Sequence, residues 1–237
     1  APTSAAKRTL AAGIRLYHKR DLPGAAQRFD EALAAAPDWK TAAGFRAGCR
    51  WTLGDGAGAL EDARGAAKLK PNDALSHAAR GRARLVLKEY DGALADFRAA
   101  GKLDPGSPEG PLGEGSVLSA QGRPQDALKP LDEAVNRDPG SAASLLMRGS
   151  VKDRQRDFAG AAGDYGALLE INPDFSWAHL YRGKAYRELK DYRGADNDLT
   201  KFLDVNDEHE DAHYLRSNVR FLLGEYRGAA SDLTRVI

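Results

Sequence analysis

Apolar residues recur along this chain at the three- and four-residue spacing of amphipathic helices, and the whole pattern repeats. Residues 177–207 show the unit well, because two apolar-striped runs are joined there by a short polar turn. Prolines mark the repeat, since they recur every 34 residues at Pro37, Pro71, Pro105, Pro139 and Pro173. A fixed period of this length is typical of tandem units, each too small to bury its own apolar face. The sequence therefore predicts a row of stacked helix pairs.

Placing each proline at position 32 of a unit divides the chain into seven repeats, numbered 1 to 7 in chain order. They cover residues 6–39, 40–73, 74–107, 108–141, 142–175, 176–209 and the shortened 210–237, after an N-terminal extension of residues 1–5. In each repeat we expect a first helix over about positions 2–15 and a second over about positions 18–31. Acidic residues at position 16, such as Asp21 and Asp191, suit the start of the second helix, where free amides favour negative charge.

Three positions of the repeat indicate how the helices pack. Position 8 is always small, position 20 is always alanine, and position 24 is usually large. Small residues allow two helices to approach closely, and a large neighbour fills the seam between them. The residues are Gly13, Ala47, Gly81, Gly115, Gly149, Gly183 and Ser217 at position 8; Ala25, Ala59, Ala93, Ala127, Ala161, Ala195 and Ala229 at position 20; and Phe29, Ala63, Phe97, Leu131, Tyr165, Leu199 and Leu233 at position 24.

This pattern resembles the tetratricopeptide repeat, whose signature has a small residue at position 8, alanine at 20, an aromatic residue at 24 and proline at 32. The resemblance covers residues 6–237 and implies an all-α fold, a right-handed superhelical α-solenoid forming a single domain. It also implies a non-catalytic scaffold for protein–protein interaction. The chain departs from the signature at position 4, which is often aromatic in the family but is histidine here at His77, His179 and His213.

Charged residues predict an ion pair inside five of the seven repeats. Repeats 2, 3, 5, 6 and 7 have arginine at position 7 and aspartate at position 23, whereas repeats 1 and 4 lack both together. An antiparallel hairpin brings these two positions to a similar height, at about 1.5 Å per residue along each helix. We therefore expect Arg–Asp bridges between the two helices of one repeat: Arg46–Asp62, Arg80–Asp96, Arg148–Asp164, Arg182–Asp198 and Arg216–Asp232.

The resemblance further implies that the first helices line a groove that holds a partner segment. Positions 2, 5, 6, 9, 12 and 13 commonly face that groove in the family. Aromatic, apolar and basic residues at these positions would suit a peptide with apolar anchors and some negative charge. The residues carried over are Phe45, Trp51, Arg82, Leu112, Met147, Arg154, Trp177, Tyr181, Lys184, Tyr214 and Asn218.

Other chemistries find little support in the sequence. Some family members clamp the acidic C-terminal tails of chaperones with lysine and asparagine, but Leu10 and Ile14 occupy the first two clamp positions, so such a partner is not expected. His209, Glu210 and His213 match the zinc motif H-E-x-x-H. His209 falls in the turn between repeats, however, and the continuation to a third ligand fails. We expect no catalytic residues, no metal and no cofactor.

The composition of the chain limits the classes of partner that we expect it to bind. The formal net charge is +1, from 35 basic and 34 acidic residues, so nothing marks the chain for nucleic acid or for an anionic membrane. No apolar run approaches the roughly 18–20 residues that a membrane span needs. These features favour a soluble, cytoplasmic protein. Cys49 is the one cysteine and lies at an inner helix position, which predicts a buried thiol.

The chain ends leave two further hypotheses open. The sequence lacks an initiator methionine and stops at the apolar pair Val236 and Ile237, without the polar cap that solenoids need. We therefore expect a fragment of a longer protein. The chain could be the targeting portion of a larger enzyme, or it could self-associate through its C-terminal end.

Overall fold

A computed structural model describes residues 2–236 as an all-helical chain, and no β-strand occurs within those residues. The chain divides into two compact units, Ala1–Met147 and Arg148–Ile237. The single continuous body expected from the repeats stays a prediction. The helices are α1 Ser4–His18, α2 Leu22–Ala35, α3 Lys40–Thr52, α4 Gly56–Ala66, α5 Ala74–Val86, α6 Tyr90–Leu103, α7 Glu109–Ala120, α8 Pro124–Arg137, α9 Ala142–Arg154, α10 Phe158–Ile171, α11 Ser176–Glu188, α12 Tyr192–Leu203, α13 Glu210–Leu222 and α14 Tyr226–Leu233.

The helices pair as the repeat period predicts. In the first unit, α1 packs against α2, α3 against α4, α5 against α6 and α7 against α8, and neighbouring pairs meet through α3 with α5 and α6 with α7. In the second unit, α11 packs against α12 and α13 against α14. Ala1 and Ile237 lie outside the described residues, and α1 already begins within the expected N-terminal extension. None of the described helices is long and apolar enough to cross a membrane.

The seam between paired helices is built from positions 8, 20 and 24. All seven alanines at position 20 are buried. A Cβ added to Gly13 would lie 2.5 Å from the Phe29 ring, and one added to Gly149 would lie 2.8 Å from the Tyr165 ring. The aromatic side chains at position 24 of repeats 1 and 5 therefore leave room only for glycine at Gly13 and Gly149. Cys49 is also buried, and burial raises the pKa of its thiol to about 12.

In repeats 1, 2, 5 and 6 an aspartate cap lies against a glycine at position 19. The aspartate at position 16 caps the second helix, as where Asp157 accepts a hydrogen bond from the Gly160 amide at 2.9 Å. A Cβ on Gly160 would lie 2.2 Å from a carboxylate oxygen of Asp157, so glycine at position 19 suits this orientation of the cap. Glu89 and Glu225 occupy the same position but make no such side-chain bond.

Position 15 of every repeat lies in the left-handed region of backbone conformation. Only three of the seven residues there are glycine, so the other four hold a conformation that side chains disfavour. The φ values are 64° at Arg20, 89° at Gly54, 61° at Lys88, 74° at Gly122, 65° at Arg156, 63° at Lys190 and 79° at Gly224.

Two second helices of the full-length repeats, α4 and α12, end earlier than the repeat predicts, and α4 falls furthest short. The expected helix of repeat 2 reaches residue 70, but α4 ends at Ala66. Beyond that point the Leu69 carbonyl accepts a hydrogen bond from Arg80 Nη1 at 2.9 Å, so this backbone group bonds outside the helix. The second helices of repeats 1, 3, 4 and 5, which are α2, α6, α8 and α10, each end two residues before the proline at position 32.

Candidate functional site

Buried aspartates join the two helices of a repeat. Asp198 is fully buried and accepts hydrogen bonds from Arg182 Nε at 2.7 Å and Nη2 at 2.8 Å. The same paired geometry places Arg46 on Asp62, Arg80 on Asp96, Arg148 on Asp164 and Arg216 on Asp232. All five pairs predicted from positions 7 and 23 are within hydrogen-bond distance.

Each of these aspartates has a further partner that sequence reasoning missed. Position 11 supplies Arg50, Arg84, Lys152 or Arg220, as in the 2.9 Å contact of Arg220 with Asp232. Position 4 supplies His77, His179 or His213, as in the 2.8 Å bond of His179 Nδ1 with Asp198. The sequence contains an indication of this histidine–aspartate contact, because histidine at position 4 occurs only in repeats that carry the Arg–Asp pair.

The cations favour the ionised form of two of these carboxylates, those of Asp96 and Asp232. Burial opposes the negative charge of Asp96, but hydrogen bonds from Arg80 and His77 outweigh it, so the pKa of Asp96 is lowered. Asp232 follows the same logic, since the bonds from Arg216 and His213 overcome burial and lower its pKa. These sites are structural ties between helices, and the chemistry they supply is charge neutralisation.

A second buried polar group lies within the first unit and links distant repeats. We name Tyr17, His18, Arg82, Glu109 and Ser141 the inner cluster. His18 Nε2 lies 2.8 Å from Glu109 Oε1, and His18 Nδ1 lies 2.9 Å from Ser141 Oγ. Arg82 donates to Glu109 and stacks its guanidinium over the Tyr17 ring, 4.4 Å from the ring centre. Burial opposes ionisation of Glu109, but the charge of Arg82 and the hydrogen bonds from His18 and Arg82 prevail and hold the pKa of Glu109 at about 2.

The order Ser141–His18–Glu109 is that of a hydrolase triad, yet its surroundings indicate a structural role. Ser141 is fully buried, and its hydroxyl oxygen accepts from the Ser144 amide at 3.2 Å and from the Ser144 hydroxyl at 2.9 Å. This serine therefore caps the start of α9. An imidazole protonated at Nε2 would donate to Glu109 and accept from Ser141, which satisfies every group in the chain.

The groove residues carried over from the family fall into two groups. Phe45, Arg82 and Leu112 are buried, so the expectation that they lie on an open surface is wrong. The physical reason is that the inner cluster fills this face: the Arg82 guanidinium stacks 5.2 Å from the Phe45 ring as well as on Tyr17. Met147, Tyr181 and Asn218 are half-buried, and Trp51, Arg154, Trp177, Lys184 and Tyr214 are exposed.

In the second unit the first helices α11 and α13 present an accessible aromatic surface. We call Trp177, Tyr181, Lys184, Tyr214 and Asn218 the C-terminal first-helix face. Trp177 is 41% exposed although its ring packs 5.3 Å from Phe202 and 5.7 Å from His209, edge to face. Tyr214 is 54% exposed. This face therefore has an aromatic ring fixed by its neighbours, and part of that ring remains exposed for contact with a partner.

The two histidines of the H-E-x-x-H motif have other partners. His209 caps α13 by accepting from the Ala212 amide at 3.2 Å. His213 bonds Asp232 at 3.1 Å and the Asp207 carbonyl at 2.8 Å. Across residues 2–236, no group of three or more histidine, cysteine or acidic side chains is placed to hold a metal ion.

Comparison with known proteins agrees with this architecture. The sequence profile of the tetratricopeptide repeat matches residues 10–74, 51–108, 112–175, 146–195 and 180–237. No curated protein sequence is similar enough to count as a relative.

Solved structures share the fold at low sequence identity. MamA 41-end from Desulfovibrio magneticus RS-1 is 18% identical, with a TM-score of 0.64 over 71% of this chain and 95% of that one. The C-terminal part of a TPR repeat-containing protein from Cytophaga hutchinsonii is 15% identical, with a TM-score of 0.60 over 96% of this chain and 93% of that one. YrrB, described as a TPR protein with an unusual peptide-binding site, is 20% identical, with a TM-score of 0.53 over 79% and 96%. At these identities the likeness concerns the fold alone.

Proposed function

Because the chain belongs to the tetratricopeptide repeat family, we propose that it is a non-catalytic scaffold that binds a segment of a partner protein on its C-terminal first-helix face. One observation carries the proposal: Trp177 is held by Phe202 and His209 and still leaves 41% of its surface exposed. Large, rigid aromatic side chains lose little conformational entropy when a partner covers them, which is why they dominate binding energy at interfaces.

The charges of this face favour apolar anchoring of the partner. The charges of Lys184 and Glu188 both act on the carboxylate of Asp153. Arg187 is paired with Glu188 at 2.5 Å. Because the basic groups already have acidic neighbours, a strongly acidic partner gains little here. We expect a segment with one or two large apolar side chains that cover Trp177 and Tyr214. The peptide-binding site named for YrrB supports the class of partner.

The test begins with peptides selected from a random display library on the intact chain. The dissociation constant of the tightest peptide is then measured by fluorescence polarisation for wild type, Trp177→Ala and Trp51→Ala. Trp51 is a matched control, because it is 48% exposed but lies in the first unit, outside the proposed face. Loss of an aromatic anchor costs about 2 kcal/mol or more, so Trp177→Ala should weaken binding at least tenfold and Trp51→Ala less than twofold. Equal effects of the two variants, or no selected peptide, would contradict the proposal.

A second candidate is self-association through the last hairpin. Phe221 is 63% exposed and contacts the ring of Tyr226, which is also exposed, at 5.4 Å, and Leu222 lies beside them on α13. Adjacent exposed apolar side chains are a common feature of interfaces. Sedimentation equilibrium across concentration would reveal a dimer that Phe221→Ser abolishes, and a monomer at every concentration would exclude this candidate.

A further inference from the structure

The inner cluster differs from the other charged contacts of the first unit in its reach along the chain. The Arg–Asp and His–Asp ties connect residues 12 to 19 positions apart, inside one repeat. His18 instead contacts Glu109, 91 residues away, and Ser141, 123 residues away. It therefore connects repeat 1 directly to repeat 4, although repeats 2 and 3 separate them in the sequence.

This long-range contact is polar and buried, which makes it specific in geometry. Arg82 and Glu109 are each more than nine-tenths buried. Arg82 Nε is buried and makes no hydrogen bond, so its guanidinium is only partly satisfied in this position. A buried ion pair contributes little to stability relative to an apolar pair, but losing one partner is costly. Such a contact is either fully formed or absent, and it does not slide gradually as apolar surfaces can.

The contact covers the first helices of repeats 1 to 4. Phe45 and Leu112 occupy positions that face the binding surface in the family, and both are buried, as is Arg82. The half-buried Tyr17 ring and the Phe45 ring both lie against the Arg82 guanidinium. The second unit leaves the equivalent surface open at Trp177 and Tyr214. The same kind of face is thus covered at Phe45, Arg82 and Leu112 in the first unit and accessible at Trp177 and Tyr214 in the second.

We propose that the inner cluster is an autoinhibitory clasp: it covers the Tyr17 and Phe45 part of the first-helix face of repeats 1 to 4, and separation of repeat 1 from repeat 4 uncovers an aromatic binding surface there. The proposal rests on the proposed function only in treating such faces as binding surfaces. The closure itself is measurable without any partner, so the two can fail independently.

The first experiment measures the distance between repeats 1 and 4. Spin labels are attached at Arg15→Cys on α1 and Gln125→Cys on α8, both exposed positions. Cys49→Ala removes the native thiol, and alanine is already the residue at the same position of repeats 3 and 6. Distances come from pulsed electron resonance on the full chain. Wild type should give one narrow distribution, and adding His18→Gln should give a second, longer distance.

The matched control is His77→Gln in the same labelled chain. His77 also bonds a buried carboxylate, Asp96, at 3.0 Å, but within a single repeat. It should leave the distance distribution unchanged. A single wild-type distribution in His18→Gln overturns the clasp, as does equal broadening in both variants. If His18→Gln does not fold, the single variant Glu109→Gln leaves the buried Arg82 guanidinium without its ionic partner and should show the same second distance. An unchanged distance in that variant overturns the clasp.

The second experiment asks whether an apolar surface becomes accessible. The fluorescent probe bis-ANS should bind the His18→Gln variant with at least threefold higher fluorescence than the His77→Gln variant, because Tyr17 and Phe45 become reachable. A longer distance without added fluorescence would overturn the claim that the clasp hides a binding surface.

Discussion

Removing the Arg182 guanidinium tests whether the buried aspartates tie the helices of a repeat together. Arg182→Met keeps most of the aliphatic stem and deletes two hydrogen bonds to Asp198, at 2.7 and 2.8 Å. Breaking a fully buried pair costs about 3–5 kcal/mol. Because Arg182 keeps a 19% exposed side chain and His179 still bonds Asp198, we expect about 2–4 kcal/mol instead.

A double-mutant cycle with Asp198→Asn separates the pair from the cost of each single change. The coupling free energy should be about 1.5–3 kcal/mol. Amide hydrogen exchange in α11 and α12 is the suitable readout, since the chain has two compact units and need not unfold in one step. The exposed pair Arg28–Glu31, at 2.8 Å on the surface of α2, is the matched control and should couple by less than about 0.5 kcal/mol.

The salt dependence of the coupling free energy also distinguishes a buried pair from an exposed one. Raising sodium chloride to about 1 M screens exposed pairs strongly and buried pairs weakly, so the Arg28–Glu31 coupling should vanish while that of Arg182–Asp198 persists. A coupling below about 0.5 kcal/mol for Arg182 with Asp198 would refute the idea that the pair ties α11 to α12.

Three further predictions concern single sites. The pKa of Asp96 is lowered in the folded chain, so the stabilisation from its carboxylate is present above about pH 4 and is lost as pH falls through the folded pKa. Asp96→Asn should therefore flatten the fall, between about pH 5 and 2, of the free energy of unfolding measured in urea. An unchanged slope would contradict this. Lys190→Gly relieves a φ of 63° and should raise the free energy of unfolding of its hairpin by about 0.5–1 kcal/mol in urea titration; a loss would count against it. Gly160→Ala should destabilise α10 by about 1 kcal/mol or more in thermal unfolding, because the new methyl group displaces the Asp157 cap. Gly163→Ala, with open space around it, should be neutral or stabilising. Equal effects of the two variants would contradict the role of the cap.

The sequence predicted the parts of this fold that recur at a fixed period. Helix pairing, the glycine at position 8 and the Arg182–Asp198 geometry all follow from local spacing, because a residue and its partner belong to one hairpin. The early end of α4 did not follow, since it depends on which group bonds the Leu69 carbonyl. The reason for glycine at position 19 likewise required the orientation of the capping carboxylate.

The closed face of the first unit could not be predicted from the repeat. The contact of His18 with Glu109 depends on how four hairpins curve together, and small rotations between neighbouring hairpins add up over 91 residues. A faint signal existed, because Glu109 places a carboxylate at a position that commonly faces the groove, in a repeat that lacks the usual ion pair. The assignment of Phe45 and Arg82 to an open groove failed for the same reason.

The central claim, that partners bind the C-terminal first-helix face, is tested most directly by hydroxyl-radical footprinting of the chain with and without a saturating selected peptide. The peptide should lower oxidation of Trp177 and Tyr214 at least threefold and leave oxidation of Trp51 and Tyr226 unchanged. Protection of Trp51 or Tyr226 with Trp177 still fully oxidised would contradict it.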